Sequence, residues 1–287
     1  MKSDRLSAWA LMAPGLLWLA IFMIVPCLII LATAFFTRGV YGGVDWSAFG
    51  FGNFSRSAEW LYLSIFLDSA RIAFLAAFIA LIVGYPAAYA IAKARAQWQV
   101  SLLILAILPF WTNYLIRTYA WIVLLNPSGL INNFLAWLGL ISGPLPLLYN
   151  EFAVILGLVY SYVPFVILAI YSSLQRLDPS YAEASRDLGA SAWTTFWRVT
   201  LPLTIPGVAA GGVFVFVLSI GNFVTPDLLG GGKFQMAGNL IYDQFLTARD
   251  WPFGSALSVI LIAIMMVLLL INALMTRRIA GREKAHA

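Results

Sequence analysis

Side chains that could do chemistry are scarce in this sequence. Its 287 residues include 12 acidic residues, 17 basic residues and one histidine, His286. The only cysteine is Cys27, so no disulfide and no cysteine-based metal cluster can form within one chain. No histidine lies in the apolar segments for a serine–histidine–aspartate set, and no cluster has metal-ligand spacing. The sequence therefore predicts a protein that is not an enzyme and holds no metal.

The single glycine–lysine pair does not form a phosphate-binding loop. Such a loop has the pattern Gly-x-x-x-x-Gly-Lys-Ser/Thr. Here Asp227 occupies the first glycine position and Phe234 follows Lys233. We therefore expect no bound cofactor in this chain, and any ATP with its magnesium ion would belong to a partner.

Two groups of polar and aromatic residues are candidates for the path of a polar solute. The first recurs at three- and four-residue steps, which share one face of a continuous helix: Phe110, Asn113, Tyr114, Arg117 and Trp121. The second lies where a later apolar segment ends and comprises Asn222, Phe223, Thr225 and Asp227. Asp227 could attract an ammonium group, and Phe223 could offer it a cation–π face. Tyr160 and Tyr162 are further aromatic candidates.

Less specific interpretations of these residues stay open. Each aromatic residue alone is typical of an interfacial anchor, so the gate hypothesis depends on the cluster around Asp227. An arginine within a span usually faces the protein interior. Arg117 therefore either contacts the pathway or snorkels outward and braces the bundle, and charge repulsion disfavours direct binding of a cation. Arg71 lies one helical turn beyond Asp68 and is predicted to form a local ion pair.

The composition requires a membrane around these residues. Hydrophobic residues make up 62% and charged residues 10% of the chain, with a mean hydropathy of +0.90, whereas soluble proteins carry about 25% charged residues. This excludes a soluble fold, a disordered chain and a coiled coil. A spanning helix needs about 20 mostly apolar residues, and six segments qualify, at about 8–36, 69–92, 100–125, 151–171, 203–224 and 255–276. We predict an all-α integral membrane protein with one domain over 1–287.

The positions of lysine and arginine predict the orientation of the spans. Eleven basic residues fall on the side of both termini: Lys2, Arg5, Lys93, Arg95, Arg176, Arg186, Arg198, Arg277, Arg278, Arg282 and Lys284. Four fall on the other side: Arg38, Arg56, Lys233 and Arg249. Because basic loops stay inside, both termini are expected in the cytoplasm. This insertion signal accounts for the pI of about 9.4, which therefore gives no evidence for nucleic-acid binding.

The loop 172–202 is the most patterned of the predicted cytoplasmic segments. Asp178 followed by Pro179 is typical of a helix start, with a capping carboxylate and then proline in the first turn. Gly189 suits the position after that helix, and Ser191 can cap a second one. The pattern predicts a helix–turn–helix on the inner membrane surface. From pattern alone, an interfacial helix that only anchors the bundle fits equally well.

The same loop resembles the EAA signature of permeases in binding-protein-dependent ABC importers. That family pattern is Glu-Ala-Ala, three residues, Gly, nine residues, Ile-x-Leu-Pro. Every spacing matches, through Glu183, Ala184, Ser185, Gly189, Val199, Thr200, Leu201 and Pro202. The departures are Ser185 for alanine and Val199 for isoleucine, and both are small changes in size or shape.

The resemblance implies a type I importer fold of six transmembrane helices, in which this loop is a coupling helix that docks in a cleft of the ATPase. Glu183 would make a polar or ionic contact and Gly189 would make the turn. Ala184 and Ser185 would permit close approach to the ATPase, and Arg186 and Asp187 would contact the rim of the cleft. ATP-driven closure of two ATPases would then move two such loops, and the bundle would open alternately to the two sides.

Further segments are similar to spermidine/putrescine-type permeases, and specifically to the first permease of a heterodimeric importer. They are 109–121, 126–132, 221–231 and 249–254. The resemblance covers nearly the whole chain and implies a second homologous permease, two ATPase subunits and a periplasmic or lipid-anchored solute-binding protein, in the bacterial cytoplasmic (inner) membrane. Two alternatives stay open. One is an importer permease for an amino-acid-like compound or a metal-ion complex, and the other is a stand-alone channel or membrane enzyme.

Overall fold

The computed structural model describes residues 12–285, with the side chains of the last helix given as far as residue 274. The start of the first predicted span, Lys2, Arg5, His286 and the side chains of the basic C-terminal segment lie outside the described residues. The chain divides into two compact units. One contains Leu240–Ile264 and the chain up to Ser64, and the other contains Ile65–Asn239 and the chain from Met265.

The described elements are mainly helices. In chain order they are α1 (Met12–Thr33), β1 (Phe36–Arg38), β2 (Val44–Phe49), α2 (Gly52–Ser57), α3 (Trp60–Lys93), α4 (Ala96–Trp111), α5 (Tyr114–Leu125), α6 (Leu130–Trp137), α7 (Glu151–Gln175), α8 (Pro179–Asp187), α9 (Ala192–Ile220), α10 (Val224–Gly230), α11 (Ala237–Leu246) and α12 (Trp251–Ala285). Among the described residues, five are long and apolar enough to cross a membrane, and the number is six if the bent pair of α4 with α5 and α6 is counted as one span. The predicted all-α, six-span fold is confirmed.

Several helix ends differ from the bounds of the predicted membrane spans. α1 ends at Thr33 rather than 36, α3 begins at Trp60 rather than 69, α7 continues to Gln175 rather than 171, and α12 begins at Trp251 rather than 255. Apolar composition marks the part of a helix that fits the hydrocarbon layer, but helical hydrogen bonding continues into polar flanks. The β1–β2 hairpin, which follows α1 directly, was not predicted.

The third predicted span is not a continuous helix. α4 ends at Trp111, and the pair Ala96–Trp111 and Tyr114–Trp137 is bent by 86°. Asn113 caps α5, since its Oδ1 accepts hydrogen bonds from the backbone N–H groups of Leu115 (2.9 Å) and Ile116 (3.3 Å). The expectation that the residues from 110 to 121 share one helical face was therefore wrong, because the helix is interrupted in the middle of the set.

The fifth predicted span, 203–224, begins earlier and ends earlier than expected. α9 starts at Ala192, so the second helix of the patterned loop and the span are one helix. A π-helical turn at Phe196–Thr200 precedes Pro202, which has no backbone N–H to donate. At the other end, α9 stops at Ile220, and α10 begins only at Val224.

The core of the larger unit includes tight packing of α7 against α9. A Cβ added to Gly207 would lie 2.9 Å from the Ala169 carbonyl oxygen and 2.5 Å from the Ser173 Cβ. One turn later, Gly211 lies against Val166. Small residues four apart let two helices approach closely within a membrane. This contact fixes α9 along α7 and so positions residues 221–223 and α10, which follow α9.

The smaller unit is held by polar contacts beside an aromatic cluster on the hairpin. Arg56 forms an ion pair with Asp250, with 2.8 Å between Nη1 and Oδ2, and its guanidinium carbon lies 3.9 Å from the centre of the Phe253 ring. The Thr33 hydroxyl donates a hydrogen bond to Ser255 Oγ at 2.8 Å. These contacts tie α1, α2 and the start of α12 together within this unit.

Candidate functional site

The patterned loop folds as its sequence predicts. Asp178 Oδ1 accepts a hydrogen bond from the Ser180 backbone N–H at 2.9 Å, and this bond holds the pKa of the Asp178 carboxyl below its usual 3.8. α8 then begins at Pro179. Gly189 has φ 82°, and Ser191 Oγ accepts from the Thr194 backbone N–H at 3.2 Å. The predicted helix start, turn and second cap are confirmed.

The surface of α8 is left uncovered in the described structure. The side chains of Glu183, Ala184, Arg186 and Asp187 are exposed, and Leu188 at the end of the helix is 89% exposed. Ser185 is half-buried because its hydroxyl shares a hydrogen bond of 3.0 Å with Thr195 in α9. α8 therefore presents charged and small side chains on a helix that is fastened to the start of α9.

A second group of predicted residues meets around Asn222, which is buried. Its Nδ2 donates to the hydroxyls of Tyr114 and Tyr162, both at 2.7 Å. Its Oδ1 accepts from the Thr225 backbone N–H at 2.9 Å, and the Thr225 hydroxyl shares a hydrogen bond with Tyr114. The structure thus joins two regions that the sequence separates by 108 residues. We call Tyr114, Tyr162, Asn222 and Thr225 the Asn222 cluster.

A cavity of about 250 Å³ opens beside this cluster. Its lining contains no charged residue and consists of Tyr114, Tyr162, Leu218, Gly221, Asn222, Phe223 and Val224. Hydroxyl and amide groups with aromatic faces can replace part of the water around a polar or cationic solute. The cavity therefore has the chemistry of a solute-contact surface.

The break between α9 and α10 is held by α11. The Asn239 Nδ2 donates to the Phe223 carbonyl oxygen at 2.7 Å. Gly238 allows this approach, because a Cβ there would lie 2.7 Å from the carbonyl oxygens of Gly221 and Asn222. Sequence reasoning missed Gly238 and Asn239, which carry no periodic or charge signal.

Arg117 braces the break between α4 and α5. Only 7% of the residue is exposed, and its Nη1 donates to the Pro109 carbonyl oxygen at 3.0 Å. In a continuous helix that carbonyl would accept the N–H of residue 113, so the break leaves it free. The Thr112 hydroxyl donates to the same oxygen at 2.7 Å. The arginine is therefore buried and does not snorkel outward.

Other predicted residues lie apart from the cavity. Asp227 is exposed on α10 and does not line it, and Asn113 serves as a helix cap. Phe110 packs edge-on against Phe165, with ring centres 4.8 Å apart, and Tyr160 packs against Trp121 at 5.3 Å. The gate cluster around Asp227 is thus not assembled as expected, because the chain turns between Ile220 and Val224.

The predicted ion pair of Arg71 is confirmed. The Arg71 Nε lies 3.7 Å from Asp68, and its Nη2 lies 3.0 Å from Glu151 on α7. Within residues 12–285, as far as their side chains are described, no three His, Cys, Asp or Glu side chains come together to hold a metal ion.

Six apolar spans, an exposed helix with the EAA spacing and an uncharged polar cavity define the class: the membrane permease subunit of an ABC importer. The chain belongs to the family of binding-protein-dependent transport system inner membrane components, which residues 103–281 match.

Two relatives extend the match beyond these residues. The chain is 43% identical over 254 residues to the spermidine/putrescine transport system permease protein PotB of Salmonella typhimurium (strain SL1344), covering 88% of each chain. It is 42% identical over 254 residues to PotB of Escherichia coli (strain K12), covering 88% of this chain and 92% of the relative.

The fold matches a solved transporter. A chain of a bacterial alginate ABC transporter, crystallised in complex with an alginate pentasaccharide-bound periplasmic protein, aligns with a TM-score of 0.78 over 97% of this chain and 96% of that chain. The two are 21% identical, so this likeness supports the fold alone.

Proposed function

We propose that this chain forms half of the translocation pathway of an ATP-driven polyamine importer, which takes up spermidine or putrescine by alternating access. The observation that carries the proposal is the similarity to two spermidine/putrescine permeases, at 43% and 42% identity over 88% of this chain. The uncharged cavity at Asn222, which is lined by two tyrosines and a phenylalanine, supports it, because aromatic rings attract alkylammonium ions.

In this proposal α8 is the coupling helix. Glu183 binds the ATPase, Ala184 and Ser185 permit close approach, and Arg186 and Asp187 contact the rim of the cleft. Gly189 turns the chain into α9, which is 29 residues long and therefore about 43 Å from end to end. Because α9 runs without a break from Ala192 to Ile220, movement of α8 reaches the residues directly before Asn222.

The solute pathway includes the cavity beside the Asn222 cluster. Tyr114, Asn222 and Phe223 contact the solute, and Thr225 holds Tyr114 in place. Asp227 attracts cations from its exposed position on α10. The remaining candidates shape the wall around the break in the third span: Phe110, Asn113, Arg117 and Tyr160.

The proposed assembly contains a second homologous permease subunit, two ATPase subunits that bind ATP and magnesium, and a periplasmic or lipid-anchored solute-binding protein. The chain itself binds no cofactor and no nucleic acid, and acts as one permease domain in the bilayer of the inner membrane. Both termini lie in the cytoplasm, so that α8 faces the ATPases.

Uptake into vesicles tests the solute. The complete complex is reconstituted with its binding protein, and labelled spermidine, putrescine, an amino acid and a metal-ion complex are supplied in turn. We expect ATP-dependent accumulation of the two polyamines only. Accumulation of the amino acid or the metal complex without either polyamine would assign the importer to another solute.

A further inference from the structure

Arg117 lies in a three-sided aromatic cage formed by Phe110, Tyr114 and Tyr160. Its guanidinium carbon is 6.0, 5.2 and 5.8 Å from the centres of these three rings, respectively. A ring face attracts a cation within about 6 Å of its centre. Because the rings come from α4, α5 and α7, the cage exists only in the folded chain.

The charge in this cage has little other compensation. The described part of the chain gives Arg117 one side-chain hydrogen bond, to Pro109, and no ion pair. Its Nε is buried and has no hydrogen-bond partner among the described residues. A buried charge is costly unless it is paired or hydrogen-bonded, so the ring faces supply much of what holds the guanidinium. The same electrostatic attraction holds alkylammonium groups in aromatic cages.

The cage and the cavity at Asn222 share Tyr114. The Tyr114 ring contacts the Arg117 guanidinium. The Tyr114 hydroxyl accepts a hydrogen bond from Asn222, and the residue also lines the cavity. A cation in the cavity would therefore repel the Arg117 guanidinium across a single side chain. If the guanidinium left, its bond to the Pro109 carbonyl would break, and that bond spans the 86° bend.

We propose that this cage is a binding site for an alkylammonium group of the solute, and that Arg117 fills the site until the solute arrives. The ammonium group takes the place of the guanidinium, and the released arginine loosens the break between α4 and α5. A cation that fits the cage thus opens its own route, whereas a neutral solute leaves Arg117 in place. This inference deepens the proposed polyamine function and rests on it.

The test measures uptake of labelled spermidine by the complete complex in vesicles without the solute-binding protein. Arg117 should keep this uptake low. Arg117→Gln empties the cage and should raise it about tenfold, a typical strength of coupling between sites. Arg117→Lys puts a cation back and should reverse most of the increase. Arg71→Gln, which removes an exposed arginine paired with Glu151, is the matched control and should leave uptake low.

Unchanged or lower spermidine uptake in Arg117→Gln would overturn the proposal. An equal loss of uptake in the glutamine and lysine variants would indicate that Arg117 only braces the break between α4 and α5. If Arg117→Gln does not assemble, Tyr160→Leu opens one wall and leaves the bond to Pro109 in place. Because this ring is one of the three faces proposed to hold the ammonium group, the variant should lower spermidine uptake by the complete complex with its binding protein, and unchanged uptake would again overturn the proposal. Spermidine uptake by the wild-type complex with the binding protein tests the polyamine function separately. Only a lack of this uptake would refute that function.

Discussion

Asn222 uses each of its side-chain hydrogen-bonding groups in the described structure. Both amide hydrogens bind tyrosine hydroxyls, and the oxygen binds a backbone N–H. A buried amide satisfied in this way holds Tyr114 on α5 and Tyr162 on α7 at one point. At the scale of single residues, the cavity is therefore built by hydrogen bonds between neutral groups, which leave no fixed charge to trap a cation on its way through.

Asn222→Ala should destabilise the complex by about 2 kcal/mol, because it leaves the hydroxyls of two half-buried tyrosines without this partner. Thermal unfolding of the purified complex measures the effect, and spermidine uptake should fall with it. Asn133→Ala is the matched control, since Asn133 is exposed and makes one amide contact, to the Ser128 carbonyl. Equal unfolding temperatures for the two variants would contradict the structural role of Asn222.

Glu183→Ala should weaken association with the ATPase subunits about tenfold, because an interfacial carboxylate would lose its partner. Co-purification of the ATPase with the permease measures this loss, while the amount of permease in the membrane should not change. Glu59→Ala removes another exposed carboxylate and serves as the control. Wild-type ATPase binding by Glu183→Ala would count against docking at this residue.

At the scale of elements, the contact between α7 and α9 links α8, the proposed coupling helix, to the cavity. α9 begins after the turn at Gly189 and ends just before Asn222, and Gly207 lies against the backbone of α7 between these points. Movement of α9 relative to α7 therefore changes the wall of the cavity.

Gly207→Ala should push the two helices apart and destabilise the complex by about 1–3 kcal/mol, the usual cost of overpacking. Gly212→Ala is the matched control, because a Cβ there would meet only the movable end of Leu81, at 3.1 Å. Thermal unfolding should separate the two variants, with Gly207→Ala melting at the lower temperature. The reverse order would show that the contact between Gly207 and the α7 backbone does not determine how closely the two helices approach.

Local chemistry decided which elements the sequence could predict. The cap at Asp178, the turn at Gly189 and the cap at Ser191 each depend on a few neighbouring residues, so the α8 region was predicted correctly. The breaks after Trp111 and Ile220 were missed, because each is only a few residues long and has apolar segments on both sides. Asn113 is a cap signal within the third span, but its spacing from Phe110 and Arg117 also fits one face of a continuous helix.

Sequence reasoning named some of the residues that line the cavity, but it did not predict how they come together. Tyr114, Asn222 and Phe223 do line one cavity. Their contact depends on how α5, α7 and the end of α9 pack, which a single sequence does not encode at any fixed spacing. Asp227 was expected among them because it follows closely in the chain, yet α10 carries it to an exposed position.

At the scale of the whole molecule, the low charge content and the exposed helix α8 are both expected of a membrane bundle that is moved by partner subunits. Charged residues make up 10% of the sequence, and the sequence contains no phosphate-binding loop of its own. In our account, ATP hydrolysis by partner subunits moves α8, and α9 carries the movement to the cavity.

The most direct test compares spermidine uptake by vesicles that contain the complete complex with uptake by vesicles that lack only the ATPase subunits. Both are supplied with the binding protein outside and ATP inside. The account predicts accumulation against a gradient in the complete complex, and none without the ATPases or with ATP withheld. Accumulation by the permease subunits alone would contradict it and would indicate a self-sufficient transporter.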